Sequence, residues 1–159
     1  MFNQKAIVAL LLAAAIILGL GGAATHASPN QFAVNVDNSG HAVAGYDTVA
    51  YFTDGKATKG RPEFAHVWKG AKWLFASAEH RDLFRANPES YAPRVGGFCA
   101  LGTVNGRMVE VDPEMWLIVK GRLYLYLYLD AGVRDAANAD LEASTAAAEE
   151  GWEQIRQAQ

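Results

Sequence analysis

An α+β fold follows from the sequence: a small antiparallel sheet with short helices and a C-terminal helix. Three observations predict it. Short apolar runs are joined through a glycine turn at Phe64–Trp68 with Lys72–Phe75, and again at Trp116–Val119 with Arg122–Leu129. Between them, Ser77 opens a stretch with helix-start chemistry that Asn87-Pro88 closes. From Ala131 the chain is alanine-rich, and Leu141, Trp152 and Ile155 give it an apolar side.

The first 27 residues read as a leader. Lys5 is the lone early charge, Ala6 to Leu20 is an unbroken apolar run, and Thr25-His26-Ala27 sets small side chains at both positions a signal peptidase reads. The expectation is a signal peptide over 1–27, a flexible polar segment over 28–42, and a single domain over 43–159. That organisation places the protein in the periplasm or outside the cell, with no membrane contact after cleavage; the alternative is an uncleaved anchor, since the run extended to Ala24 is near the lower limit of a membrane span. Without the leader the chain holds 13 basic and 17 acidic residues, a formal charge of −4. Such a balance argues against nucleic acid or an anionic membrane as partner.

The elements follow in order. Val43 to Phe52, VAGYDTVAYF, mixes a Gly-Tyr-Asp turn with apolar residues, and Asp54-Gly55 and Gly60-Arg61-Pro62 mark loops. Phe64–Trp68 and Lys72–Phe75 form a hairpin through Lys69-Gly70. Ser77 caps a helix running to Ala86, with Glu79 at its positive end. After Tyr91-Ala92-Pro93, Gly96-Gly97 resets the backbone. The pattern then predicts strands at Phe98–Val104 and Met108–Val111 around an Asn105-Gly106 hairpin, and the final pair through Lys120-Gly121. In Leu123 to Leu129, leucine and tyrosine alternate, which puts leucines on the core face and tyrosines under the C-terminal helix. No internal repeat is legible.

Chemistry concentrates in few residues. No nucleophile elbow, phosphate loop, H-E-x-x-H helix or paired-cysteine zinc site is present, which points away from a hydrolase, kinase or dehydrogenase and toward a protein that is not an enzyme. Of three histidines after the leader, His41 lies in a polar segment and His66 in a strand. His80 sits in the first helical turn, where the helix dipole disfavours the charged ring and leaves an imidazole able to bind metal. Cys99 is the only cysteine, so no disulfide holds the chain together. From the residues alone it is a small buried apolar group, a reactive thiol or a metal ligand.

Taken together, GYDTVAYF, WLFASAEHRDLF, NPESYAP, GGFCA and DPEMWLIVKGRLYL resemble the YHS-domain family, and its small exported bacterial members in particular. The resemblance spans roughly Val43 to Trp152 and implies heavy-metal handling of the copper type. In metal-binding relatives the first motif resembles D-P-V-C-G-M and the second F-C-S-x-x-C-x-x-x-F. Here Ala50 and Ala76 stand at two of those thiol positions and His80 at the third. Some relatives carry selenocysteine at the position of Cys99, which implies redox or soft-metal chemistry there.

Three functions follow as expectations. The first is a heavy-metal-binding accessory protein, with copper or zinc held by Cys99 and His80 and a third ligand such as Asp47. The second is a thiol-redox protein with Cys99 as the reactive residue, for which Arg94 is the one nearby cation. The third is a binding or structural module without chemistry. The partner is a metal ion or another exported protein.

Overall fold

The structure is a computed structural model that describes residues 34–128 and 140–159. The leader expected at 1–27 lies outside the described residues, as does the stretch from Leu129 to Ala139. The fold is α+β. Two three-residue helical turns, Val43–Gly45 and Val95–Gly97, act as straps, and each precedes a short helix and a hairpin. The elements are α1 (Ala50–Thr53), β1 (Arg61–Trp68), β2 (Ala71–Phe75), α2 (Ala78–Ala86), α3 (Pro88–Tyr91), α4 (Ala100–Val104), β3 (Asp112–Val119), β4 (Arg122–Tyr126) and α5 (Leu141–Gln157).

The strands form two separate antiparallel hairpins rather than one sheet. In β1–β2, Trp68 faces Ala71 across Lys69-Gly70; in β3–β4, Val119 faces Arg122 across Lys120-Gly121. All four turn residues have φ between 48° and 76°, the backbone of a type I′ turn that matches strand twist. From Val34 onward the N-terminal segment belongs to the packed fold. Asn35 is buried and donates through Nδ2 to the Gly97 carbonyl, while its N–H reaches Gly96 and its carbonyl accepts from Val43.

Two predicted strands are corrected. Phe98–Val104 is a strap exit followed by α4, and residues 107–111 run without regular structure. The Asn105-Gly106 pair closes α4: Asn105 N–H bonds to Gly102 O and Gly106 N–H to Thr103 O. Gly106 has a φ of 67°, a conformation glycine takes equally well at a helix end and in a hairpin, so the dipeptide alone does not distinguish the two.

Over Leu123–Tyr126 the alternating run divides the interior as its period requires, whereas Leu127 and Tyr128 lie beyond the strand and are exposed. Leu123 and Leu125 join Trp73, Phe75, Phe84, Val49 and Tyr51 in one cluster. Tyr124 and Tyr126 join Val95, Cys99, Ala148 and Trp152 in a second, beneath α5. Phe84 centres the first, with ring centroids 4.9 Å from Trp73 and 5.0 Å from Phe75. Strand β4 therefore stands between the two cores. Helix α5 docks on α4 at Gly151, where any β-carbon would run into the Thr103 carbonyl.

Candidate functional site

The site begins with the cap of α2. Ser77 has extended backbone and accepts the His80 N–H at 3.1 Å through its hydroxyl, as an N-cap serine does. That fixes His80 in the first turn, just beyond the end of β2. Asp47 arrives from the other side, two residues after the Val43–Gly45 strap. Its carboxylate is fully buried.

Four donors converge on it. Oδ1 accepts Val49 N–H at 2.9 Å and Ala50 N–H at 3.3 Å. Oδ2 accepts Ala76 N–H at 2.8 Å and meets His80 Nδ1 at 2.6 Å. A buried carboxylate is tolerated only when its lone pairs are filled in this way. An ionised carboxylate only accepts, so Nδ1 donates to it, and in the neutral ring the lone pair then sits on Nε2.

Nε2 faces outward. It lies 3.3 Å from Thr53 Oγ1 and 3.9 Å from Asp54 Oδ1, and the His80 side chain is 14% exposed. Thr53 also reaches Asp54 Oδ1 at 2.8 Å and the Val49 carbonyl at 3.2 Å. Neither Thr53 nor Asp54 was picked out from the sequence, where Asp54-Gly55 reads only as a turn. The pairing depends on α1 lying against the start of α2, which no local signal reports.

Ala50, Ala76 and His80, the positions that the motif resemblance sets against thiols, meet here. Ala50 and Ala76 present their backbone N–H groups to Asp47, and His80 presents its ring. A carboxylate–imidazole pair forms the centre of the arrangement. This arrangement does not fit a closed site with three protein ligands: among the described residues no group of three or more His, Cys, Asp or Glu side chains is close enough to hold an ion. It does fit an open one. A metal-binding histidine usually gives its second ring N–H to a carboxylate, which fixes the ring and raises the basicity of the free nitrogen.

Cys99 lies elsewhere. It belongs to the second core cluster, on the tyrosine side of β4, and is 5% exposed. The joint Cys99–His80–Asp47 centre anticipated from the sequence does not assemble, because the imidazole and carboxylate belong to the β2–α2 junction and the thiol to the loop leading into α4. Cys99 Sγ accepts the Leu127 N–H at 3.4 Å. Beside it, burial and then the neighbouring thiol hold the Tyr126 phenol up at about 12. Arg94 turns to Glu149, at 3.0 and 3.2 Å, and so is committed away from the thiol. His41 pairs with Asp37 at 3.4 Å, and His66 lies edge-on to Phe84.

Compared with known proteins, residues 49–95 match the model of the YHS domain. That stretch runs from the residue after Thr48 through α1, the first hairpin, α2 and α3 to the second strap, and so contains His80 and Asp54. No curated protein and no solved structure matches the chain.

Proposed function

Residues 49–95 form a YHS domain, and on that premise we propose that the chain is an exported accessory protein that binds a heavy-metal ion through His80 Nε2. The YHS domain is associated with heavy-metal binding. Asp47 orients the ring from behind, and Asp54 is the second donor, with water completing the coordination. Imidazole and carboxylate suit zinc or copper(II) better than copper(I), whose preferred thiolates are gone from this site. Two protein donors make a weak, exchangeable contact suited to passing an ion on rather than storing it. The leader-like pattern of residues 1–27 supports action outside the cytoplasm.

The observation that carries the reading is the 2.6 Å Asp47–His80 contact with Nε2 turned outward toward Asp54. The test is calorimetric titration of the protein with zinc and with copper(II) in the absence of reductant, alongside NMR of the histidine ring protons during the zinc titration. One ion per chain is expected, with the His80 resonances shifted. His80→Ala should abolish binding and Cys99→Ser should leave it intact. Binding that persists in His80→Ala, or that is lost in Cys99→Ser, refutes this assignment.

A further inference from the structure

The two halves of the chain repeat one another in backbone detail. The straps Val43–Gly45 and Val95–Gly97 are 52 positions apart, and all six residues have positive φ: 51°, 49° and 76° in the first, 48°, 66° and 78° in the second. A valine with positive φ is rare because its branched Cβ crowds the backbone. Two of them opening two identical straps is not a coincidence of local sequence.

Four backbone hydrogen bonds around one strap have a counterpart around the other, Gly45 N–H to Ala42 O and Gly97 N–H to Arg94 O among them. Ala42 N–H bonds to Lys72 O and Arg94 N–H to Leu123 O, at 2.9 and 2.8 Å. Tyr46 N–H bonds to Val43 O and Phe98 N–H to Val95 O. Asp47 N–H bonds to Thr58 O and Cys99 N–H to Val109 O, at 2.8 and 2.9 Å. A short helix follows each. Both hairpins then carry the same irregularity: Arg61 pairs Phe75 and Ala65 pairs Leu74, while Asp112 pairs Tyr126 and Trp116 pairs Leu125. Their turns, Lys69-Gly70 and Lys120-Gly121, are 51 positions apart.

Within this correspondence Cys99 stands where Asp47 stands. Asp47 Oδ2 accepts the N–H of Ala76, the first residue beyond β2. Cys99 Sγ accepts the N–H of Leu127, the first residue beyond β4. We infer that the chain contains two copies of one strap–helix–hairpin unit, over 42–76 and 94–127, and that Cys99 is the second copy's form of the Asp47 acceptor, holding the exit of β4 rather than serving as a ligand or redox thiol.

The chemistry of the post explains the choice. A backbone N–H leaving a strand toward a packed core must find an acceptor, because an unpaired one is costly. In the first copy a carboxylate does this while also binding an imidazole. In the second the surroundings are apolar, and sulfur is a weak acceptor that tolerates burial. Cys99 also occupies the N-cap of α4, where its side chain makes no capping bond. An aspartate there would accept Leu127 N–H and face the free first-turn amides of α4, as Asp47 does for Val49 and Ala50.

The test uses Cys99→Asp, Cys99→Ser and Cys99→Ala, with amide hydrogen exchange followed at Leu127 and, as an internal control, at Ala76. In Cys99→Ala the Leu127 amide should exchange about tenfold faster, the scale of one lost hydrogen bond. Cys99→Ser and Cys99→Asp should fold and keep Leu127 slow, and Ala76 should be unchanged in all three. Unchanged Leu127 exchange in Cys99→Ala overturns the acceptor role. A Cys99→Asp chain that fails to fold while the serine and alanine variants fold overturns the equivalence with Asp47. Alkylation of the native protein at the rate of a free thiol overturns the exclusion of reactivity.

Discussion

Replacing Asp47 with alanine tests the centre of the first copy. The substitution strands the N–H groups of Val49, Ala50 and Ala76 and the ring N–H of His80, all now satisfied by one buried carboxylate. An orphaned buried donor costs about 1–3 kcal/mol, so three backbone amides set a range of about 3–9 kcal/mol. The lower half applies, because His80 is partly exposed and water can enter the vacated space; a loss of about 4 kcal/mol is expected. That is a large share of the roughly 5–15 kcal/mol that holds a domain together. Asp47→Asn keeps one acceptor oxygen but turns an amide donor toward another donor, and should cost about 2–3 kcal/mol. Urea unfolding followed by tryptophan fluorescence measures both, since Trp73 packs in the adjacent core. The double variant with His80→Ala should recover part of the loss, because the ring N–H is then absent. An Asp47→Ala variant within 1 kcal/mol of the parent would refute the reasoning, since the four contacts would then carry almost nothing.

Two further outcomes follow from the second copy. Gly151→Ala should destabilise by about 2–3 kcal/mol through overpacking against the Thr103 carbonyl, although alanine is the better helix former by about 1 kcal/mol; a Gly151→Ala protein at least as stable as the parent in thermal unfolding would show that α5 does not sit this closely on α4. Glu149 accepts from Arg94, Arg122 and, at 2.6 Å, the Tyr124 hydroxyl. Burial opposes its ionisation, but the Arg94 and Tyr124 hydrogen bonds and the charges of Arg94 and Arg122 outweigh it, so its carboxyl lies below the ordinary glutamate range. A carboxylate with a lowered folded value stabilises fully above its unfolded value and loses that contribution as pH falls through the folded one. Because the pair is partly solvated, Glu149→Gln should cost only about 1 kcal/mol near neutral pH, and the gap to the parent should close below about pH 4. Urea midpoints across a pH series measure it, and a gap that stays constant down to pH 3 would exclude the ion-pair explanation.

Legibility divides along physical lines. Ser77 as the cap of α2, the Lys69-Gly70 and Lys120-Gly121 turns and the division of leucine from tyrosine along β4 were readable because each depends on residues within a few positions. The strand predicted at Phe98–Val104 failed because an Ala-Leu-Gly-Thr-Val run supports helix or strand, and as helix it packs closely against Gly151 of α5. The repeat is not legible in the sequence because it lies in backbone conformation. Side chains matching in type are few, chiefly VAGYD against VGGFC and KGAKWLF against KGRLYLY.

The sequence by itself determined the α+β class, the period-two division of β4, the start of α2 at Ser77 and the ligand-competent residue types, His80 and Cys99. These follow from local propensity, turn chemistry and donor chemistry, which need no knowledge of distant contacts. Only the tertiary structure decided which of those residues meet. Asp47 and His80 are 33 positions apart and touch because a strap and a hairpin bring α1 beside the start of α2. Cys99, with the more conspicuous side chain, is held on the far side of β4. Sequence spacing carries no information about which face of a strand a loop will return to; packing of the two cores settles it.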